Sequence, residues 1–79
     1  MVLNLGYNNC VMIDKVVAII TSDSKPARRL RETADKHARL IDATNGRKTR
    51  AMIVTTSNHV ILSSLHPETL IQRINELQK

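Results

Sequence analysis

The chain has 79 residues, 12 Lys or Arg against 7 Asp or Glu, a formal net charge of +5, and Tyr7 as its one aromatic residue. A sequence this short holds one small domain, residues 1–79, whose core is marginally stabilising unless a metal, a disulfide or contacts between copies add to it. Cys10 is the only cysteine, which excludes an internal disulfide, and Cys10, His37, His59 and His66 lack the paired short spacings of a zinc site, so contacts between copies remain.

Residues 1 to 13 alternate Val2, Leu3 and Leu5 with polar positions, pass through Gly6-Tyr7-Asn8-Asn9, and return through Cys10 to Ile13. The pattern predicts two short strands around a turn or bulge at Gly6 to Asn9. Val16 to Ile20 is a β-branched run closed by Thr21-Ser22-Asp23-Ser24, a strand with apolar residues on both faces, so both faces need cover. It is also the longest apolar run, too short to cross a bilayer, and no basic-then-apolar leader precedes it. Together with the lone thiol, these features lead us to expect a reducing cytoplasm.

Ser22, Asp23 and Ser24 supply helix caps and Pro26 suits a first turn, so a helix is predicted from residue 24 or 25. Its stripe is Ala27, Leu30, Ala34 and either His37 or Ala38, narrow enough to sit close to what it covers. Leu40-Ile41-Asp42 and Ala51 to Thr56 read as two strands of a hairpin about Asn45-Gly46, a dipeptide suited to a type I′ turn. Ser57-Asn58 makes the next turn and Val60 to Ser64 the next strand, with His59 beside the turn as an ordinary polar residue. His66-Pro67-Glu68-Thr69 opens a second helix with Leu70, Ile71, Ile74 and Leu77 on one face and a near-neutral polar face of Glu68, Arg73, Glu76 and Lys79.

The order βββαβββα defines an α+β fold: a small, mostly antiparallel sheet of five to six short strands with two helices. Two helices of modest width leave part of so apolar a sheet uncovered. Wetting half of it would cost several kcal/mol at about 25 cal/mol per Å², comparable with the whole stability of a small domain. The simplest inference is that another copy buries the surplus; the alternative is a monomer with its two helices placed on opposite faces of the sheet.

The charge is concentrated. Lys25 to Arg50 holds nine bases against Glu32, Asp35 and Asp42, a balance of +6, while the remainder holds three bases against four acids, a balance of −1. Such asymmetry points to a polyanionic partner, most commonly nucleic acid. With one aromatic, the stacking platforms of single-strand readers are missing. Arg47, Lys48 and Arg50, directly after Asn45-Gly46, are the densest cations, and the helical Arg28, Arg29 and Arg31 are secondary candidates. In an extended segment Lys48 and Arg50 would face one way and Arg47 the other, although the mouth of a hairpin is loose enough for all three to meet one anion chain.

No nucleophile elbow, phosphate-binding glycine loop, metal-binding helix or carboxylate pair is visible, so neither an enzyme nor a cofactor, metal or small-molecule ligand is indicated. The Arg-rich helix leads into a strand, which is unlike a helix-turn-helix. Duplex DNA would be met by loops and strand ends. An RNA-binding protein, or a basic protein-interaction adaptor using the same cationic surface, is the alternative. A membrane partner would need an amphipathic helix with broad apolar and basic faces, which the sequence lacks.

Leu40 to Val54, then Ser57-Asn58-His59-Val60-Ile61-Leu62-Ser63 and Pro67-Glu68-Thr69, together resemble the RemA family of small bacterial regulators. Gly6 with Asn9, the strand at 16 to 20 and Ser24-Lys25-Pro26 fit the same pattern, so the resemblance spans nearly the whole chain. It implies a cytoplasmic, nucleoid-associated DNA-binding transcription regulator that activates extracellular-matrix and biofilm genes. It also implies ring-shaped homo-oligomers with basic residues along the rim. Carried over by position, the family's DNA-contacting residues fall on Lys15, Arg47 and Lys48. Lys15 and Lys48 stand where arginine occurs in the best-known relatives, and Asn45 replaces an aromatic. Lysine keeps the charge needed for phosphate but loses the planar fork that reads guanine.

Overall fold

In the computed structural model, which describes residues 1–78, the chain runs β1 (Val2–Gly6), β2 (Asn9–Met12), a short 3-10 turn (Ile13–Lys15), β3 (Val16–Thr21), α1 (Lys25–Lys36), β4 (Leu40–Asp42), β5 (Ala51–Thr55), β6 (Val60–Ser63) and α2 (Pro67–Leu77). Six short strands and two helices in the order βββαβββα make an α+β fold, mostly antiparallel as the patterning predicts. The strands divide into two sheets instead of one. β1 and β2 form a separate hairpin, and the other four lie in the order β3-β5-β6-β4. Within the larger sheet β3 with β5 and β5 with β6 are antiparallel, whereas β6 with β4 is parallel.

Local chemistry accounts for the element ends. The Ser24 hydroxyl accepts from the Ala27 N–H at 3.2 Å, capping α1, with Pro26 in its first turn. At the other end α1 stops at Lys36 because Ala38 turns left-handed (φ 56°) and the Arg39 N–H reaches back to the Ala34 carbonyl at 2.8 Å. His37 and Ala38 are consequently exposed and do not extend the buried stripe. α2 begins at Pro67 with Glu68 in its first turn. Lys79, read with the polar face of α2, lies outside the described residues.

Alternation along the strands builds two cores. On one face of the large sheet Ala51, Ile53 and Ile61 pack with Leu3, Leu5 and Leu70, brought there by the β1–β2 hairpin and α2. On the other, Met52, Val60 and Leu62 pack against Ala27 and Ala34 of α1. The two alanines let that helix lie close. The helices therefore cover opposite faces, and the hairpin is a third covering element beyond the two helices that the patterning marks. β6 is buried at every position and β5 at all but Val54 within one chain, so the central strands do not by themselves require a second copy. Uncovered apolar surface lies in two places: at the margins of the large sheet, where Val17, the bulged residue of edge strand β3, is 64 % exposed, Ile41 on edge strand β4 is 46 % exposed and Ile71 on α2 is 47 % exposed, and on the β1–β2 hairpin, where Val2 and its cross-strand partner Met12 are exposed beside Met1. Ile71 thus sits half exposed at the border of the face it shares with Ile74, both lining a cleft with Val16 and Ile19 of β3, and Arg73 donates to the Asn4 carbonyl at 3.0 Å at the surface.

The hairpin expected between residues 40–42 and 51–56 is overturned. β4 and β5 are not neighbours, because β6 lies between them, parallel to one and antiparallel to the other. The reason is burial: Val60, Ile61 and Leu62 are apolar on both faces and belong at the interior of the sheet, while Leu40-Ile41-Asp42, only three residues long and ending in a carboxylate, suits an edge.

This arrangement makes Leu70 and Ile71 unequal despite their adjacency. Leu70→Ala should lower the free energy of urea unfolding by about 2–5 kcal/mol, as a cavity beneath a fully buried leucine does. Ile71→Ala should leave it within about 0.5 kcal/mol, the usual range for an exposed position.

Candidate functional site

The segment from Ala43 to Arg50 has to pass the end of β6, a gap of about 10 Å or two strand spacings. Both its ends are fastened to consecutive carbonyls of that strand: the Ala43 N–H donates to Leu62 at 2.9 Å and the Arg50 N–H to Ser63 at 2.9 Å. Further ties come from either side. The Ser22 hydroxyl donates to the Thr49 carbonyl at 3.0 Å, and the Asn9 amide donates to the Ala43 carbonyl at 3.4 Å. The segment is a loop whose stems are fixed to the sheet.

Asn45 (φ 56°) and Gly46 (φ 81°) both adopt positive φ, and the Arg47 N–H closes the turn on the Thr44 carbonyl at 3.1 Å. A local turn of this kind therefore forms without paired strands to flank it. A Cβ at Gly46 would meet nothing within 4 Å, so the glycine is used for its left-handed backbone and not for close packing. Before the turn, the Asp42 carboxylate accepts from the Thr44 hydroxyl at 2.6 Å and from the Thr44 N–H at 2.9 Å. These bonds, the hydroxyl first, hold the Asp42 pKa below its ordinary 3.8, with a smaller contribution from the nearby Arg31 guanidinium.

Past the turn the backbone is not yet a strand, so Arg47, Lys48 and Arg50 are not divided between two faces. All three line one cleft of about 260 Å³, together with Tyr7, Ser64 and Leu65. Lys48 and Arg50 also border a second cleft of about 310 Å³ that runs on to Ser22 and the first turn of α2, where Asp23 and Glu68 contribute opposite charge. The Arg47 guanidinium stands over the Tyr7 ring, 5.0 Å from its centroid. Tyr7 sits at the tip of the β1–β2 hairpin, forty residues away in sequence, which is why the pairing was not foreseen. One signal was available: the single aromatic of the chain occupies a turn.

The other basic candidates lie apart. Lys15 closes the 3-10 turn just before β3 and lines a cleft with Ile41, Thr56 and His59, at the opposite end of that six-residue strand from Ser22 and Arg50. At 3.3 Å per residue this places it about 20 Å from the loop. Arg28, Arg29 and Arg31 are exposed on α1, which packs on the sheet face opposite the β1–β2 hairpin. His59 takes part in a turn network, its Nδ1 lying 2.7 Å from the Ser57 hydroxyl. Among the described residues no three His, Cys, Asp or Glu side chains assemble as a metal site, and no helix is long and apolar enough to cross a membrane.

The Asp42–Thr44 bonds carry a pH signature. Because the folded pKa is lowered, the interaction stabilises the folded state fully above the unfolded value and is lost as the pH falls through the folded value. Thr44→Val should therefore be less stable than wild type at neutral pH, and the gap measured by urea unfolding should narrow below about pH 4. A gap independent of pH would assign the loss to packing instead.

Comparison with known proteins extends over the same region and beyond it. Residues 2–74 match the family model described as "RemA-like: Extracellular matrix regulatory protein A-like". A protein of Thermodesulfovibrio yellowstonii is 46 % identical over 79 residues, which is 100 % of this chain and 93 % of that protein. One from Nitratidesulfovibrio vulgaris is 54 % identical over 74 residues, 94 % of this chain and 86 % of the relative. One from Desulfotalea psychrophila is 49 % identical over 76 residues, 96 % of this chain and 68 % of the relative. All three carry names beginning "Putative regulatory protein".

Proposed function

We propose, from the premise that this chain belongs to the RemA-like family, that it is a transcription regulator of the matrix- and biofilm-gene activator type. In this reading it binds duplex DNA through basic residues repeated on a ring-shaped homo-oligomer. The observation that carries the reading is the fastened loop: three cations, Arg47, Lys48 and Arg50, gathered on one cleft by a segment whose stems are tied to β6. A cluster that a flexible loop would disperse is here presented at a fixed place on every copy.

One copy offers few phosphate contacts, so affinity must come from repetition. The margins of the sheet supply a route to it. β3 and β4 are unpaired edges on opposite sides of the same sheet, and each has apolar surface beside it, Val17 and Ile71 near one and Ile41 near the other. Two different patches on opposite sides favour a head-to-tail contact, and head-to-tail contacts that close make rings. Lys15, about 20 Å from the loop along β3, adds to the same field when a duplex spans more than one copy. Contacts of this kind go mostly to phosphate, so sequence preference arises from groove width and deformability. Arg28, Arg29 and Arg31, on the far side of the sheet, are secondary contacts at most.

Light scattering at high salt should give a particle of several subunits; a monomer at micromolar concentration would end the multivalent mechanism. In gel shifts across a salt series, Arg47→Ala should weaken binding to all duplexes. It should also reduce the slope of log K against log salt by about 0.9 for every phosphate that each engaged subunit no longer neutralises. An unchanged slope would remove the loop from the interface, and a structured RNA that outcompetes duplex at matched salt would assign the loop to RNA.

A further inference from the structure

We infer that Tyr7 is the positioning residue for Arg47: its ring is the platform that holds the guanidinium at the mouth of the cleft, in the orientation in which it meets a phosphate chain. The inference rests on the reading of the loop as the DNA contact and adds a residue of the β1–β2 hairpin to it.

Three observations converge on Tyr7. The guanidinium carbon lies 5.0 Å from the ring centroid, within the roughly 6 Å over which a cation is held by an aromatic face. The backbone at the hairpin tip is left-handed at both Tyr7 (φ 53°) and Asn8 (φ 67°), following Gly6 at φ 90°. Turns of that shape favour Asn and Gly, and a bulky residue there is disfavoured. The only aromatic of the chain is thus spent on a position that a smaller residue would fill more comfortably, and it is 44 % exposed, so core packing does not explain it. Finally, the hairpin and the loop are registered to each other independently of the pair. Asn9 donates from its side chain to the Ala43 carbonyl, and the buried Ser63 hydroxyl, beside the Arg50 anchor, donates to the Leu5 carbonyl at 3.3 Å. With the bases of the hairpin and the loop held together in this way, the ring is brought to the same place beneath Arg47.

An arginine free to rotate loses side-chain entropy when it binds; one already laid on a ring has less to lose. Lys48 and Arg50 line the same cleft without this support, so Arg47 is the most preorganised of the three.

The test is a double-mutant cycle on the full-length protein, read by anisotropy of a labelled duplex at fixed salt. Tyr7→Leu should weaken binding by roughly twofold to tenfold per engaged subunit, the range expected when one long side chain has to be ordered on binding. Tyr7→Phe, which keeps the ring, should bind like wild type. In an Arg47→Ala background Tyr7→Leu should have no further effect. Additive losses, or a Tyr7→Phe variant as weak as Tyr7→Leu, would overturn the inference. A readout without DNA separates this pairing from the DNA-binding reading. Tyr7 is the only aromatic fluorophore, so Arg47→Ala should change its emission and its accessibility to a soluble quencher. If emission changes while Arg47→Ala leaves DNA binding intact, the pairing stands and the loop's role in DNA binding fails. If emission and quenching are unchanged, the pairing itself fails, whether or not Tyr7→Leu folds.

Discussion

The placement of β6 between β4 and β5 governs the rest of the molecule. β6 is buried throughout and hydrogen-bonded on both sides, antiparallel to β5 and parallel to β4. With β6 there, the chain leaving β4 cannot turn straight back. It has to cross the end of the central strand, and in crossing it takes the last two carbonyls of that strand as anchors, Leu62 for Ala43 and Ser63 for Arg50. A two-residue hairpin would have held Asn45-Gly46 by strand pairing. Here the same turn forms in a longer loop, held at its stems, and its cations stay together on one side.

The covering elements follow from the same sheet. Because the two central strands are apolar on both faces, one helix per face is the minimum, and α1 and α2 take opposite sides. α1 covers its side closely through Ala27 and Ala34. α2 is helped by the β1–β2 hairpin, whose Leu3 and Leu5 are buried against Ile53 and Ile61. That hairpin does more than fill a core. Folding over this face carries its tip to the start of the basic loop, where Tyr7 meets Arg47 and Asn9 meets Ala43. Packing in the core and display at the surface are thus products of one arrangement.

Of the large sheet, what remains uncovered lies at the rim, Val17 and Ile71 by one edge strand and Ile41 by the other, while Val2 and Met12 stay exposed on the separate hairpin. The case for self-association therefore shifts from the sheet faces, which one chain buries by itself, to the two open edges. A domain with unpaired edges and apolar residues beside them is exposed to edge pairing unless something occupies them.

The sequence by itself determined the local events. Alternation and β-branching marked the strands, Ser24 and Pro26 the start of α1, Pro67 the start of α2, and Asn45-Gly46 a left-handed turn with three cations behind it. Each is decided by neighbours within a few residues, through backbone sterics or capping, and so is written locally. The tertiary structure alone decided which strands are neighbours, that β1 and β2 stand apart as a cover, that Ile71 is left half exposed beside the fully buried Leu70, and that Tyr7 lies beneath Arg47. Those outcomes depend on which apolar runs compete best for the two-sided interior of the sheet, a comparison between distant segments that no window along the chain contains.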